Sequence, residues 1–128
     1  MDFERVLVVE DEWLIADSLV GILADIGLEI VGPHAKLGLA VAAATSEQFD
    51  FALLDINLAK EAVYPVADVL MSRGIPFAFT TAHDAEALPA QYRGVIHLAK
   101  PYGAISVAEV VRALRSKAAI GLPGGPIK

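Results

Sequence analysis

The chain has 128 residues, of which 55% are hydrophobic, so it can bury the core of one domain and is not a disordered protein. Its net charge of −6, without any basic cluster, argues against direct nucleic-acid binding, because phosphate contacts need lysine and arginine. The absence of cysteine excludes disulfides and thiolate metal sites, and no apolar run is long enough for a signal peptide or a membrane span.

Five short apolar runs recur along the chain, and their starts lie roughly 20 to 25 residues apart. They do not alternate with polar residues, which is typical of strands that are buried on both faces. Helix-like segments separate them, so the pattern predicts an α/β fold with a parallel sheet of five strands and with five helices. The predicted strands are residues 6–9, 29–31, 51–54, 76–80 and 95–98.

Three of the predicted helices carry an apolar face or clear end signals. The first has apolar residues at positions 15, 19, 22, 23 and 26, followed by Gly27 at the stop position. In the third, Pro65 stands where a first-turn proline is tolerated, and Gly74 ends the helix. The last helix places four apolar residues on one face: Val107, Val110, Val111 and Leu114.

Two segments depart from this regular pattern. In the fourth helix, Asp84 could act as a cap, but Pro89 limits the helix to about one turn, because a proline deeper in a helix costs about 3 kcal/mol or more. We therefore expect a short or distorted element there. Residues 121–128 are rich in glycine and proline and are predicted to form a flexible tail, which leaves residues 1–120 as one domain.

Polar residues collect directly after four of the five predicted strands. They are Glu10, Asp11 and Glu12 after the first strand, Asp55 and Asn57 after the third, Thr81 after the fourth, and Lys100 after the fifth. In open parallel sheets, ligands bind at the edge where the carboxyl ends of the strands meet. We therefore expect these side chains to converge on one site.

The acidic members of this set predict a divalent metal site. Carboxylates about 4 Å apart repel by about 4 kcal/mol per pair at an effective dielectric near 20. They persist together only if a cation binds or if one of them stays protonated. Mg²⁺ prefers oxygen ligands and commonly bridges to phosphate. Asp11 and Asp55 could bind it directly, Glu10 through water, and Asn57 through its backbone carbonyl.

With a metal bound, Asp55 could act as a nucleophile toward a phosphoryl group. The Thr81 hydroxyl and the Lys100 ammonium would then contact the phosphoryl oxygens, where negative charge accumulates during transfer. Taken alone, each residue has a plainer interpretation as a helix cap, a turn former or a solvated lysine. Their common position at one end of successive strands favours the functional interpretation.

Four stretches resemble the receiver (CheY-like) domains of two-component response regulators. They are Val6-Leu-Val-Val-Glu-Asp-Glu12, Phe51-Ala-Leu-Leu-Asp-Ile-Asn57, Thr81-Ala82 and Lys100-Pro101. The resemblance implies a doubly wound, flavodoxin-like sheet with strand order 2-1-3-4-5. It also implies that Asp55 takes a phosphoryl group from a sensor histidine kinase or a phosphotransfer protein, and that slow self-hydrolysis follows rather than enzymatic turnover.

Residues 74–83, with 88–89 and 92–94, are similar to an atypical receiver subgroup common in alphaproteobacteria, which lacks the aromatic switch residue of the fifth strand. His97 occupies that position here. It could act with Thr81 as a modified, pH-sensitive switch, or it could be a partly exposed histidine at a strand end. His34 and His83 have no partners for a metal site and are predicted to lie in loops.

Different functions remain open at this point. A phosphatase of the haloacid-dehalogenase type also uses an aspartyl nucleophile and Mg²⁺, but it needs a general acid where this chain has Asn57. An interaction module with a vestigial acidic pocket is a second possibility, and a flavin-binding module is a more remote third. For a receiver, we expect a cytoplasmic, single-domain regulator that docks to a downstream protein through the surface around the fourth helix and fifth strand. The alternative is a fragment of a hybrid kinase or of a longer regulator. Dimer formation is compatible with this expectation.

Overall fold

A five-stranded parallel sheet forms the centre of the computed structural model, which describes residues 3–58, 61–81 and 88–119. Its strands are β1 (Arg5–Val9), β2 (Glu29–His34), β3 (Phe51–Asp55), β6 (Phe77–Thr81) and β7 (Ile96–Ala99). Two short strands, β4 (Asn57–Leu58) and β5 (Glu61–Ala62), form a separate antiparallel pair. The order across the sheet is β2-β1-β3-β6-β7, which confirms the predicted order 2-1-3-4-5.

Four α-helices cover the two faces of this sheet. They are α1 (Trp13–Ile26), α2 (Leu37–Ser46), α3 (Tyr64–Arg73) and α4 (Ala104–Ala119). Helices α1 and α4 pack on one face, and α2 and α3 pack on the other. Successive residues of the central strands enter the two clusters in turn, which explains why these strands have no polar alternation. None of the described helices is long and apolar enough to cross a membrane.

The predicted helix signals are confirmed. Gly27 and Gly74 follow α1 and α3 in the left-handed conformation, with φ of 101° and 70°. Glycine adopts this conformation at little steric cost, so each of these two glycines can end its helix. Pro65 lies in the first turn of α3, where no backbone donor is lost from the helix. The apolar face of α4 is buried at all four predicted positions: Val107, Val110, Val111 and Leu114.

Between β6 and β7, the described residues contain one 3-10 turn, Ala90–Tyr92. Pro89 immediately precedes the turn, and its carbonyl accepts a hydrogen bond from the Tyr92 N–H at 3.0 Å. The prediction of a short or distorted fourth helix is thus confirmed. Asp84 and His83 lie outside the described residues, as does the predicted tail at 121–128.

Strand β2 continues three residues beyond its predicted end, so the prediction that His34 lies in a loop was wrong. His34 is the last residue of the strand and pairs with Val9 across a shift in register. Gly32 makes this irregular continuation possible, because its φ is +106° and a Cβ there would lie 2.8 Å from the Val8 carbonyl oxygen. The His34 carbonyl then accepts a hydrogen bond from the Glu10 N–H at 3.0 Å.

An aromatic cluster of Tyr64, Phe77, Phe79 and Tyr92 lies beneath the 3-10 turn. The rings of Tyr64 and Tyr92 are stacked, with centroids 4.8 Å apart, and both meet Phe79 edge-on. The buried Tyr92 also donates its O–H to the Asp68 carboxylate of α3. Tyr64 therefore takes part in ordinary core packing.

Arg73 joins α3 to the end of α2 at the amino edge of the sheet. Its guanidinium donates hydrogen bonds to the carbonyls of Ala44 and of Glu47, the latter at 3.1 Å. It also lies over the Phe49 ring, 5.2 Å from the centroid. The side chain thus satisfies helix-end carbonyls that would otherwise lack intrahelical partners.

Candidate functional site

The site lies at the carboxyl edge of the sheet, as the sequence predicts. Glu10 directly follows β1, Asp55 ends β3, and Lys100 directly follows β7. Their side chains meet because the three strands run parallel and the polar residues occur at equivalent strand ends. Glu10 and Asp55 are buried, so this edge holds acidic groups that water does not fully solvate.

Lys100 is the cation at the centre of the acidic group. Its Nζ lies 2.9 Å from Glu10 Oε1 and 3.2 Å from Asp55 Oδ2. The side chains of all three residues are at most 8% exposed, so their charges are poorly screened and each depends on the others. Glu12 is a third partner at 3.7 Å, but its side chain is mostly exposed and the contact is correspondingly weak.

Glu10, Asp11 and Asp55 form a group that fits a divalent metal. One carboxylate oxygen from each of the three lies within 4.8 Å of the others, and hard oxygen donors in this number suit Mg²⁺. Backbone amides help to orient two of them. The Asn57 N–H donates to Asp55 Oδ1 at 3.2 Å, and the Glu12 N–H donates to Glu10 Oε2 at 3.1 Å. The role of the Asn57 carbonyl as a ligand stays a prediction.

The environment of Asp55 disfavours its charged form. Burial and the neighbouring Glu10 carboxylate raise the pKa of Asp55 from 3.8 to about 7, although Lys100 opposes this change. Burial alone would lower the pKa of Lys100, but its contacts with Glu10 and Asp55 outweigh burial and raise that pKa. Lys100 therefore stays protonated, and a further cation near Asp55 would stabilise the ionised form of its carboxylate.

Thr81 lies on β6, the strand next to that of Asp55, and His97 lies on β7, one strand further out. Thr81 is the half-buried last residue of β6, and its carbonyl accepts a hydrogen bond from the Lys100 N–H at 2.7 Å. His97 is exposed on β7, with its ring centroid 6.0 Å from that of Phe79 in the aromatic cluster. Partial burial lowers the pKa of His97. The roles of Thr81 in catalysis and of both residues in switching stay predictions.

Three neighbours of the site had no role in the sequence-based prediction. Glu12 was noted only as part of an acidic run, which gave no sign of its contact with Lys100. Thr80 pairs in register with Asp55 and is buried, but the neighbouring Thr81 matched the motif instead. Tyr102 lines a cleft of about 440 Å³ together with Lys100 and Glu12. Its position two residues after Lys100 carries no chemical signal in the sequence.

Trp13 lies at the mouth of the site. It is the exposed first residue of α1 and lines a second cleft, of about 400 Å³, with Glu10 and Asp11. The fluorescence emission of an exposed indole beside carboxylates can change when the charge of those carboxylates changes. Its fluorescence is therefore a usable reporter of ligand binding.

Comparison with known proteins finds matches among solved structures. No protein-family model matches the chain, and no curated protein is found as a relative. The solution structure of SdrG from Sphingomonas melonis Fr1 is 34% identical in sequence, with a TM-score of 0.79. The alignment covers 90% of this chain and 99% of SdrG.

Two structures with lower sequence identity show the same fold. The CheY-like response regulator receiver protein of Methanospirillum hungatei JF-1 is 21% identical, with 93% of this chain and 98% of that chain covered and a TM-score of 0.74. The receiver domain of the sensor histidine kinase PA1611 from Pseudomonas aeruginosa PAO1 has magnesium coordinated in its active-site cleft. It is 23% identical, with 92% and 99% covered and a TM-score of 0.75. The chain belongs to the response-regulator receiver (CheY-like) family.

Proposed function

We propose that this chain is a phosphoacceptor that takes a phosphoryl group onto Asp55 from a phosphohistidine of a sensor histidine kinase or phosphotransfer protein. The observation that carries the proposal is the arrangement around Asp55. Its buried carboxylate lies 3.2 Å from the Lys100 ammonium and within 4.8 Å of two further carboxylates. A nucleophile, a fixed cation and a set of oxygen ligands are what phosphoryl transfer to an aspartate needs.

The metal proposed for this site is Mg²⁺, held by Asp11 and Asp55 directly, by Glu10 through water and by the Asn57 carbonyl. The magnesium in the cleft of the PA1611 receiver supports this choice. When bound, the ion would supply positive charge that offsets the clustered carboxylates and stabilises an oxygen of the phosphoryl group. It would also favour the ionised form of Asp55, whose pKa burial raises to about 7.

The chain's own residues then have separate parts in the transfer. An electron pair of the ionised Asp55 carboxylate forms the new O–P bond. The bond between phosphorus and the donor's imidazole nitrogen breaks, and that nitrogen keeps the bonding pair. The Lys100 ammonium pairs with a phosphoryl oxygen, and the Thr81 hydroxyl donates a hydrogen bond to another. Water later hydrolyses the acyl phosphate slowly, so the chain is a phosphoacceptor and not a turnover enzyme.

The output is proposed to be a change in a protein-binding surface. Phosphorylation adds charge at Asp55 and shifts a two-state surface around the 3-10 turn and β7, with Thr81 and His97 as switch residues. The replacement of an aromatic by His97 supports assignment to the atypical receiver subgroup. We propose a cytoplasmic regulator whose downstream partner is a protein and which can form a dimer.

Acetyl phosphate with Mg²⁺ tests the chemistry without a protein donor. In that reaction the P–O bond to the acetyl group breaks and acetate leaves. Mass spectrometry of the intact protein should show the gain of one phosphoryl group in the wild type and none in Asp55→Ala. Asp17→Ala, which removes an exposed carboxylate of the neighbouring cleft, is the matched control and should be labelled normally.

Two outcomes would contradict the proposal. Absence of a base-labile label on the wild-type chain would indicate an interaction module with a vestigial pocket. Turnover of a simple phosphomonoester that Asp55→Ala abolishes would indicate a phosphatase instead.

Trp13 emission gives an independent signal, since Mg²⁺ and the phosphoryl mimic beryllofluoride should each change it. Emission unchanged at saturating concentrations of both would count against the site.

A further inference from the structure

The hydroxyl of Tyr102 is a buried hydrogen-bond donor for which the described residues of the site offer no acceptor. Tyr102 follows β7, and its ring packs against the apolar cluster under α1 and α4. The hydroxyl oxygen is buried and has no hydrogen-bond partner among the residues that the structure describes. A buried donor without an acceptor is unfavourable, so an acceptor that becomes available in another state of the site would stabilise that state.

The hydroxyl belongs to a side chain that lines a cleft with Glu12, and it lies close enough to the carboxylates of the site for their charges to act on it. Burial, followed by the charges of Glu10, Asp55 and Glu12, raises the pKa of Tyr102. The phenol therefore keeps its proton at neutral pH and acts as a donor. Of the three carboxylates, Glu10 has the largest influence on it. Tyr102 also lines the same cleft as Lys100, so the phenol and the ammonium face one space.

Lys100 is the residue whose partners must change on phosphorylation. Its Nζ now lies 2.9 Å from Glu10 Oε1 and 3.2 Å from Asp55 Oδ2. A phosphoryl group on Asp55 offers the ammonium stronger acceptors, and the ammonium has only three N–H donors. As Lys100 turns toward the phosphoryl oxygens, its contact with Glu10 weakens. The Glu10 side chain is only 1% exposed, so bulk solvent cannot readily replace the donor that is lost at Oε1.

We propose that Tyr102 is a positioning residue that donates its O–H to the Glu10 carboxylate when Lys100 pairs with a phosphoryl group on Asp55. The inference rests on the proposed function, because it requires Asp55 to carry a phosphoryl group. No covalent bond changes in this step; Glu10 exchanges one hydrogen-bond donor for another. Tyr102 thus stabilises the phosphorylated state relative to the unphosphorylated one, which allows Lys100 to leave Glu10.

Binding of beryllofluoride in the presence of Mg²⁺ tests this exchange, with Tyr102→Phe as the variant. Phenylalanine keeps the ring packing and removes only the hydroxyl. The variant should bind Mg²⁺ alone with unchanged affinity by calorimetry, because Lys100 remains on Glu10 in that state. Its affinity for beryllofluoride should fall about tenfold, the effect of one hydrogen bond to a charged group. Tyr64→Phe is the matched control and should bind both normally.

A spectroscopic measurement separates positioning from a merely structural role. With ¹³C-labelled tyrosine, the Cζ resonance of Tyr102, assigned from Tyr102→Phe, should shift on addition of beryllofluoride but not of Mg²⁺ alone. The metal-free variant should be no less stable to urea than the wild type, because the hydroxyl it loses has no partner there.

The outcomes distinguish this inference from the function on which it rests. Failure of the wild-type chain to bind beryllofluoride or to be labelled by acetyl phosphate would overturn the proposed function, and the role of Tyr102 with it. Normal binding by the wild type together with undiminished binding by Tyr102→Phe would overturn the role of Tyr102 alone. A Cζ resonance that does not respond to beryllofluoride would do the same.

Discussion

In the metal-free protein, replacement of Asp55 with asparagine should raise the free energy of unfolding, and more so at high pH. Burial and Glu10 raise the pKa of Asp55 from 3.8 to about 7. A group whose pKa is raised by folding contributes stability that is fully present below its unfolded pKa. That stability is lost as the pH rises through the folded pKa. Since one pKa unit corresponds to about 1.4 kcal/mol, the wild type loses about 4 kcal/mol by pH 8.

Urea unfolding followed by far-UV circular dichroism, with EDTA present, measures this effect. Part of this loss, about 2 kcal/mol, has already occurred at pH 5, so the advantage of Asp55→Asn should grow by about 2 kcal/mol between pH 5 and pH 8. Asp17→Asn is the control. Asp17 is exposed, so its replacement should shift stability little and equally at both pH values.

An advantage of Asp55→Asn that stays constant from pH 5 to pH 8 would refute this account of the site. Addition of Mg²⁺ extends the test. An ion that binds the folded wild type through Asp55 stabilises it, so the advantage of the variant at pH 8 should shrink as Mg²⁺ is added. If the two proteins kept the same difference in stability at saturating Mg²⁺, Asp55 would not be a metal ligand.

Two further predictions concern the fold, and urea unfolding measures both. Gly32→Ala should lower the free energy of unfolding by about 2 kcal/mol, because the alanine Cβ would lie 2.8 Å from the Val8 carbonyl at a φ of +106°. Gly38→Ala, in α2 with nothing within 4 Å, is the control and should be neutral or stabilising; equal losses in both would contradict the argument. Tyr92→Phe should cost about 1 kcal/mol through the lost hydrogen bond to Asp68, whereas Tyr64→Phe should cost less. A stability of Tyr92→Phe equal to that of the wild type would show that this hydrogen bond contributes nothing.

The sheet and the acidic site could be predicted because their signals are local. A strand that is buried on both faces is a continuous apolar run, and the carboxyl end of each run marks the site edge. Glu10, Asp55 and Lys100 were found by this rule alone. The short fourth element was predicted for an equally local reason, since Pro89 limits a helix wherever it stands.

The features that were missed depend on contacts between distant parts of the chain. The end of β2 at His34 depends on pairing with Val9. Gly32 and Pro33, which precede His34, are residue types more typical of a loop than of a strand. The β4–β5 pair is an exception, because it is local: the Val63 N–H bond to the Ile56 carbonyl at 2.9 Å adjoins it, and strands of two residues are too short to show a pattern in the sequence. The burial of the Tyr102 hydroxyl results from packing of the whole β7–α4 turn. No residue type or spacing in the sequence indicates that this hydroxyl is buried.

The position of Arg73 bears on where this domain can move. A lysine could not replace it, because only a planar guanidinium can lie flat on the Phe49 ring while it donates to two carbonyls. Through these contacts the side chain connects the ends of α2 and α3 at the edge of the sheet opposite Asp55. These contacts oppose a separation of the two helix ends, so we expect a rearrangement that starts at the acidic edge to leave them in place.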